Sequence, residues 1–174
     1  MPLVLNSIPG ALDANTYATI AEANTYNDSV MTPDAWTDAE VPTKNRALAT
    51  ATRLIDTNVS FKGQRTYRGQ ALSWPRQFAI DERHPLYYLD SAIVPREIKD
   101  ATAELARRLI EGGMPDTASE TEGLKSLKAG PVELEWFEGA NVREMIDRYV
   151  LDMISHLAIS DSSSTSIIVP LIRV

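Results

Sequence analysis

The sequence contains no cysteine and only two histidines. Without cysteine, neither a disulfide framework nor a thiolate metal site can form, and this composition is typical of a protein that works in a reducing compartment. No apolar run approaches the ~20 residues that a membrane-spanning helix needs. The first residues also lack the basic segment and the long apolar core of a secretory signal. We therefore expect a soluble protein that stays where it is made and has no membrane partner.

Length and charge narrow the possibilities further. The 174 residues fit one domain with a sizeable core. The net charge of −7 argues against broad attraction to nucleic acid or to an anionic membrane. The charge is uneven, however, because residues 61–76 hold four cations and no acid, whereas residues 111–138 hold seven acids and two lysines. Segments of opposite sign predict ordered contacts between neighbouring subunits.

Helical periodicity predicts a mainly α fold with four helices. The first helix, residues 20–30, follows a capping box that begins at Thr19. The second follows a cap at Thr43 and carries small alanines, which favour close helix packing. The third begins near Pro95 and stops at Gly112 and the glycine after it. The third helix has one apolar face, which needs a partner.

The segments between and after these helices complete the expected architecture. Two prolines interrupt the pattern in residues 31–42. Alternating apolar and polar residues around an Ala-Gly-Pro turn predict a β-hairpin at about residues 122–137, before a fourth helix that opens at Asn141. We expect residues 1–159 to form one helical domain that includes the hairpin. Residues 160–174 are expected to form a flexible linker and an apolar C-terminal arm.

No arrangement of residues indicates catalysis. His84 and His156 lie outside any recognisable catalytic signature, and a nucleophile would need a base beside it. Gly63 and Gly69 have neither the spacing of a phosphate-binding loop nor that of a dinucleotide site. We therefore expect a protein that is not an enzyme and that needs no cofactor and no metal.

The stretch from Phe61 to Phe78 allows two interpretations. Its cations are interleaved with aromatic residues, the combination with which a groove for single-stranded nucleic acid holds phosphates and stacks bases. Alternatively, Trp74 and Phe78 cover the core, while the arginines pair with carboxylates of the same or an adjacent subunit. The second interpretation is favoured because the rest of the chain is strongly acidic. In it, Pro75 keeps the chain extended, so that Trp74 anchors a Trp-Pro-Arg loop in the core and Arg76 is free to pair.

Several short motifs occur in an order that resembles a phage protein family. They run from Tyr17 to Ala23, Ala51 to Asp56, Phe61 to Gly63, Leu72 to Arg76 and Val94 to Ala106. On these motifs the chain resembles the head–tail connector, or adaptor, proteins of tailed bacteriophages. Some members of that family are described as DnaT-like single-stranded-DNA-binding proteins. The resemblance covers roughly residues 17–111 and extends more loosely to the hairpin and the last helix.

The resemblance implies a structural protein of the virion, made in the host cytoplasm and located in the neck, at the head–tail interface. In such adaptors a mostly helical subunit with a hairpin forms a ring, typically of twelve subunits, between the portal protein and a tail or tail-terminator (nozzle) protein. The double-stranded genome passes through the lumen without specific binding, and an acidic chain suits this role. We therefore expect a head–tail adaptor, with single-stranded-DNA binding as the alternative.

The expected sites follow from such a ring. Trp74 and Pro75 are expected to anchor their loop inside the subunit. Charge contacts between subunits are expected at Lys62, Arg65, Arg68, Arg76, Glu133 and Glu135. The C-terminal arm is expected to bind the portal or a neighbouring subunit through its large aliphatic residues, which are Ile167, Ile168, Val169, Leu171, Ile172 and Val174.

Overall fold

The computed structural model describes residues 3–112 and 146–159 in full, and only the backbone of residues 126–129 and 132–135. Within these residues the chain forms five α-helices, a 3₁₀ helix and two antiparallel strand pairs, which confirms the prediction of a mainly α fold with a hairpin. In chain order the elements are α1 (Ile20–Asn27), α2 (Asp34–Asp38), α3 (Val41–Asn58), β1 (Gln64–Arg65), β2 (Arg76–Gln77), α4 (Arg96–Gly112), β3 (Ser126–Ala129), β4 (Val132–Glu135), α5 (Arg148–Ile154) and the 3₁₀ helix Ser155–Leu157. No helix in this described part has both the length and the apolar character to cross a membrane.

Helix α4 lies at the centre of the fold, because α1, α2, α3 and α5 all pack against it. Ile98 and Leu105 are buried on the face that the sequence predicts. Ala101, Ala103 and Ala106 are buried as well, and their small side chains let neighbouring helices approach closely. All residues from 101 to 107 are buried, charged ones included, so the middle of α4 is surrounded by its neighbours rather than laid on a surface.

Helix α1 begins at the predicted capping box. The Thr19 hydroxyl accepts a hydrogen bond from the backbone N–H of Glu22 at 3.1 Å, and the Glu22 carboxylate accepts one from the Thr19 N–H at 2.8 Å. The helix ends at Asn27 and not at Val30. The N–H groups of Ser29 and Val30 donate to carbonyls three residues back instead of four, so the chain leaves the α-helix through a tighter turn.

Helix α3 begins at Val41, before the predicted cap at Thr43. Pro42 lies in its first turn, where the fixed φ of proline suits the helix and its missing N–H removes no helical hydrogen bond. Proline interrupts a helix only in the interior. The prediction that this proline breaks the pattern is therefore wrong.

The interrupted segment also contains the short helix α2, which the sequence does not predict. Trp36 is buried and its indole N–H donates to the side-chain oxygen of Asn24 at 2.9 Å. The ammonium group of Lys44 lies 5.4 Å from the centre of the Trp36 ring. A helix of one turn is too short to show an apolar period, so Trp36 was its single signal.

Helix α5 is shorter than predicted. The Asp147 carboxylate accepts a hydrogen bond from the N–H of Tyr149 at 2.8 Å and so caps a helix that begins at Arg148. Ile146 lies before this cap and is not helical. The predicted start at Asn141 lies outside the described residues.

Strands β3 and β4 form the predicted hairpin. Ala129 pairs with Val132, and the register continues to Ser126 and Glu135. The sequence predicts this strand pair but places Ala129 in the turn, whereas the structure pairs Ala129 within β3. The expected linker and arm, residues 160–174, lie outside the described residues.

A buried ion cluster joins α4 to α5. The Glu104 carboxylate accepts hydrogen bonds from Arg107 at 2.7 Å and from Arg108 at 2.6 Å, and Arg108 also pairs with Asp147. Burial alone would raise the pKa of Glu104, but the hydrogen bonds from the two arginines lower it below the ordinary value. Glu104 therefore stays charged inside the protein.

Candidate functional site

The Trp-Pro-Arg segment forms one side of a short antiparallel ribbon. We define the ribbon as residues 61–66 and 75–80. Its register is set by β1 and β2, which place Arg65 directly opposite Arg76. Sequence reasoning located this segment as extended but did not predict that it pairs with the preceding basic stretch.

Both strands of the ribbon are attached to other parts of the chain at its base. At its base, Phe61 forms an antiparallel bridge with Ala158, next to the 3₁₀ helix. At the same end of the ribbon, Ile80 of the second strand forms an antiparallel bridge with Tyr88. The loop of residues 81–88 therefore returns to the ribbon and places its aromatic residues beside it.

Trp74 is the inward-facing residue of this region. It is 1 % exposed and packs edge-on against Phe61, with 5.6 Å between the ring centroids. The peptide bond between Trp74 and Pro75 is cis. This position agrees with the expected loop anchor, and the contribution of Trp74 to stability stays a prediction.

Arg76 is not free to pair with another subunit, contrary to the interpretation of the sequence. Its Nε donates to the carbonyl of Lys62 at 2.7 Å, and its Nη atoms donate to the carbonyls of Phe61 at 3.0 Å, Gly63 at 2.7 Å and Ser73 at 3.2 Å. Regular strand pairing supplies no N–H donor to these carbonyls. The N–H groups of the guanidinium donate to them instead. Arg76 thus holds the two sides of the ribbon together.

Phe78 does not cover the core, so that part of the sequence interpretation is wrong. Its φ is +56°, a region that residues other than glycine rarely adopt. Across the ribbon, a Cβ on Gly63 would lie 2.3 Å from the carbonyl oxygen of Gln77 and 2.7 Å from the nitrogen of Ala79. Only glycine allows this close approach. Phe78 itself is 60 % exposed.

Several aromatic rings lie exposed along this region. Phe78 packs edge-to-face on Tyr88, with 5.8 Å between the centroids. Tyr67, which follows the ribbon, is 50 % exposed, while Tyr87 and Tyr88 are 76 % and 65 % exposed. The Tyr67 ring lies against Gly10, so we call only Phe78, Tyr87 and Tyr88 the aromatic surface. Clustered exposed apolar side chains mark interaction sites, whereas single ones are ordinary.

Tyr87 and Tyr88 were missed by sequence reasoning. Their signal in the sequence is a pair of tyrosines just after Pro85, in a stretch otherwise rich in polar residues. Two large aromatic rings in a polar turn are expected to pack on the protein core or to bind a partner. The structure shows that they do not enter the core.

The cations of this region fall into two groups. Lys62 pairs with Glu82 in its own subunit, whereas Arg65 and Arg68 are exposed and form no ion pair within the described part of the chain. The pKa of Arg76 is lowered by burial and by the charge of Arg65 opposite it. Like charges at opposed positions of a strand pair repel each other. The ribbon therefore has a local excess of positive charge that an anion would relieve.

Two sets of predicted contact residues cannot be placed at this surface. Only the backbone of β4 is described, so the side-chain contacts of Glu133 and Glu135 stay predictions. The C-terminal arm, from Ile167 to Val174, lies outside the described residues. What the structure brings together is the basic ribbon and the aromatic surface.

No curated protein and no solved structure matches this chain. A family model matches residues 1–174, which is the full length of the sequence. That family is described as "Putative DnaT-like ssDNA binding protein". A match of this extent shows membership, and the chain therefore belongs to the family that carries this description.

Proposed function

We propose that this protein binds single-stranded DNA along the ribbon, where the aromatic surface stacks on bases while Arg65 and Arg68 contact phosphates. The observation that carries the proposal is the exposure of Phe78 at positive φ beside cations that have no acidic partner among the described residues. An exposed ring in a strained backbone is typical of a functional position. The family match also favours this function over the head–tail adaptor.

Stacking explains why the DNA would be single-stranded. The π faces of bases are covered in a duplex and accessible in a single strand, and one base–aromatic stack is worth ~1–3 kcal/mol. The aromatic surface has three rings, so it can contact only a few nucleotides. Because every base has a π face, we expect little sequence preference.

Charge makes a smaller contribution. Two exposed arginines without acidic partners, each contacting one phosphate, give a slope of about −1.4 for log affinity against log salt, at ~0.7 per contact for single strands. The net charge of −7 opposes non-specific binding elsewhere on the surface. Binding is therefore expected to be modest in affinity and to depend mainly on the rings.

The test of the stacking role is fluorescence anisotropy with labelled single-stranded and duplex oligonucleotides. Phe78→Ala and Tyr88→Ala should each weaken binding of the single strand by about fivefold or more, since one stack is worth ~1–3 kcal/mol. Tyr149→Ala is the matched control, because Tyr149 is an exposed tyrosine on α5, outside the aromatic surface. Equal affinity of the wild type, Phe78→Ala and Tyr88→Ala for the single strand would contradict the proposal.

The charge contribution is tested by the salt dependence of the same titration. Arg65→Gln should make the slope shallower by about 0.7, the value of one phosphate contact. Arg46→Gln is the control, since Arg46 is exposed on the first half of α3, far along the chain from the ribbon. An unchanged slope in Arg65→Gln would remove this residue from the interface.

The head–tail adaptor role, with its portal and tail partners, stays a prediction from the resemblance. The predicted ring contacts relied on four cations of the basic stretch. Two of them, Lys62 and Arg76, are engaged within their own subunit. This leaves Arg65 and Arg68 for a neighbouring subunit or for DNA.

A further inference from the structure

Three potential metal ligands meet at one place outside the aromatic surface. Asp81, Glu97 and His156 each offer one ligand atom, and these atoms all lie within 4.8 Å of one another. They come from the loop after the ribbon, from the first turn of α4 and from the 3₁₀ helix. The three residues are far apart in the sequence and form no recognisable motif, so the sequence predicts no metal site.

The imidazole of His156 provides an independent observation. Its Nε2 atom is buried and has no hydrogen-bond partner within the described residues. A buried polar nitrogen without a partner is destabilising and uncommon in native proteins. A ligand that accepts the electron pair of Nε2 would remove this destabilisation.

The backbone around the cluster is held in place. The carboxylate of the buried Asp81 accepts a hydrogen bond from the N–H of Arg83 at 2.9 Å. The carbonyl of His156 accepts one from the N–H of Glu82 at 3.3 Å, so the 3₁₀ helix is joined to the loop that carries Asp81. Ligands on segments that are hydrogen-bonded to each other are pre-positioned for a common ion.

The guanidinium of Arg83 pairs with both carboxylates. One Nη atom lies 2.8 Å from an Asp81 oxygen and 2.7 Å from a Glu97 oxygen. Half of the Arg83 side chain is exposed, so it can move into solvent without leaving a buried charge. In the metal-free protein a counter-ion is required here, since two neighbouring carboxylates repel each other.

We propose that Asp81, Glu97 and His156 bind a divalent transition-metal ion of the zinc class, which replaces the guanidinium of Arg83. Carboxylate oxygen and imidazole nitrogen are both ordinary zinc ligands, and three protein ligands leave a fourth position for water. Mg²⁺ and Ca²⁺ prefer oxygen alone, so their binding would not depend on the imidazole. The site does not rest on the proposed binding of DNA.

The experiment is calorimetric titration of the full chain with Zn²⁺, with Co²⁺ absorption in the visible range as a report on coordination. The wild type should bind one equivalent, and His156→Ala should lose both the heat and the Co²⁺ bands. His84→Ala is the matched control, because His84 is the other histidine and is exposed in the loop that carries Asp81. It should bind as the wild type does.

Arg83→Gln separates a metal site from an ordinary ion-pair cluster. Removing the competing cation should tighten Zn²⁺ binding by roughly threefold to tenfold, the worth of two partly exposed ion pairs. If the cluster is only an ion-pair network, the same change gives no Zn²⁺ affinity. Circular dichroism confirms that each variant is folded, and Glu97→Gln replaces His156→Ala if the latter does not fold. No binding by either the wild type or Arg83→Gln, or undiminished binding when a ligand is removed, would overturn the proposal.

Discussion

Arg65 lies directly opposite Arg76 in the ribbon, yet only Arg76 donates to the carbonyls of its own subunit. Two arginines in one register position therefore have different expected roles. Arg76 stabilises the ribbon, and Arg65 is available to a partner.

Arg76→Ala should lower the free energy of unfolding by about 1.5–3 kcal/mol, the range for hydrogen bonds that involve a charged group. The loss arises because several carbonyls of the ribbon lose their donor. Arg65→Ala should stay within ~0.5 kcal/mol of the wild type, as is usual for an exposed side chain without fixed contacts. Urea denaturation of both variants measures the difference, and equal stabilities would show that the Arg76 network contributes little.

Trp74→Ala should destabilise the fold by about 3–5 kcal/mol, since it removes a large buried aromatic side chain. Tyr87→Ala is the matched control, because it removes an aromatic side chain that is largely exposed. Thermal unfolding followed by circular dichroism distinguishes the two. If the Trp74 variant melts at the temperature of the wild type, the anchor interpretation is wrong.

Gly63→Ala should destabilise the protein by at least ~1–2 kcal/mol, the penalty for a side chain in left-handed backbone. The added Cβ would also meet the backbone of Gln77 and Ala79. Gly112→Ala provides the contrast, since a Cβ there meets nothing within 4 Å and its φ is not positive. That change should be neutral or stabilise by up to about 1 kcal/mol. Equal effects of the two substitutions would mean that the ribbon tolerates a wider spacing.

Acid should weaken the protein partly through Glu104. Its pKa in the folded state lies below the unfolded value of ~4.3, so its contribution is fully present above that pH and is lost as the pH falls through the folded pKa. Urea denaturation at pH values from about 6 to 3 should therefore show a shallower loss of stability in Glu104→Gln than in the wild type, although the variant is less stable near neutral pH. Parallel curves would show that the carboxylate is not preferentially charged in the folded protein.

The adaptor resemblance predicts a closed ring that can be seen directly. Negative-stain electron microscopy of the purified protein, alone and with a portal protein, should show rings with head-to-tail contacts. Deletion of Ser162 to Val174 should leave the subunit folded and abolish docking if the arm binds the portal or a neighbour. A monomer at every concentration, with portal present, contradicts the adaptor role but not the binding of single-stranded DNA.

Local signals in the sequence located most of the helical fold. The Thr19 capping box, the apolar face of α4 and the alternating pattern of the hairpin each act over a few residues, so they can be read without knowing the tertiary structure. The features that the sequence did not predict depend on more than local patterns. Trp36 forms a helix too short for a period, and Pro42 starts α3 instead of breaking it.

The candidate site was located by composition but not correctly oriented. Basic and aromatic residues at 61–78 marked the segment, whereas the direction of each side chain depends on contacts across the ribbon. Phe78 is exposed and has a positive φ, and Arg76 donates to the carbonyls that surround it. Neither condition is visible in the order of residues.

The attachment of the ribbon to the 3₁₀ helix has a consequence for how the protein acquires its structure. The Lys62 side chain reaches the carbonyl of His156, a residue 94 positions later in the chain. Contacts of such long range form slowly, because the entropy of closing the intervening loop must be overcome first. During synthesis, the helices before residue 112 can pack while the base of the ribbon still lacks its neighbour. We therefore expect the ribbon to mature last, and a nascent chain that stops before residue 146 would expose Phe61 to solvent and to chaperones.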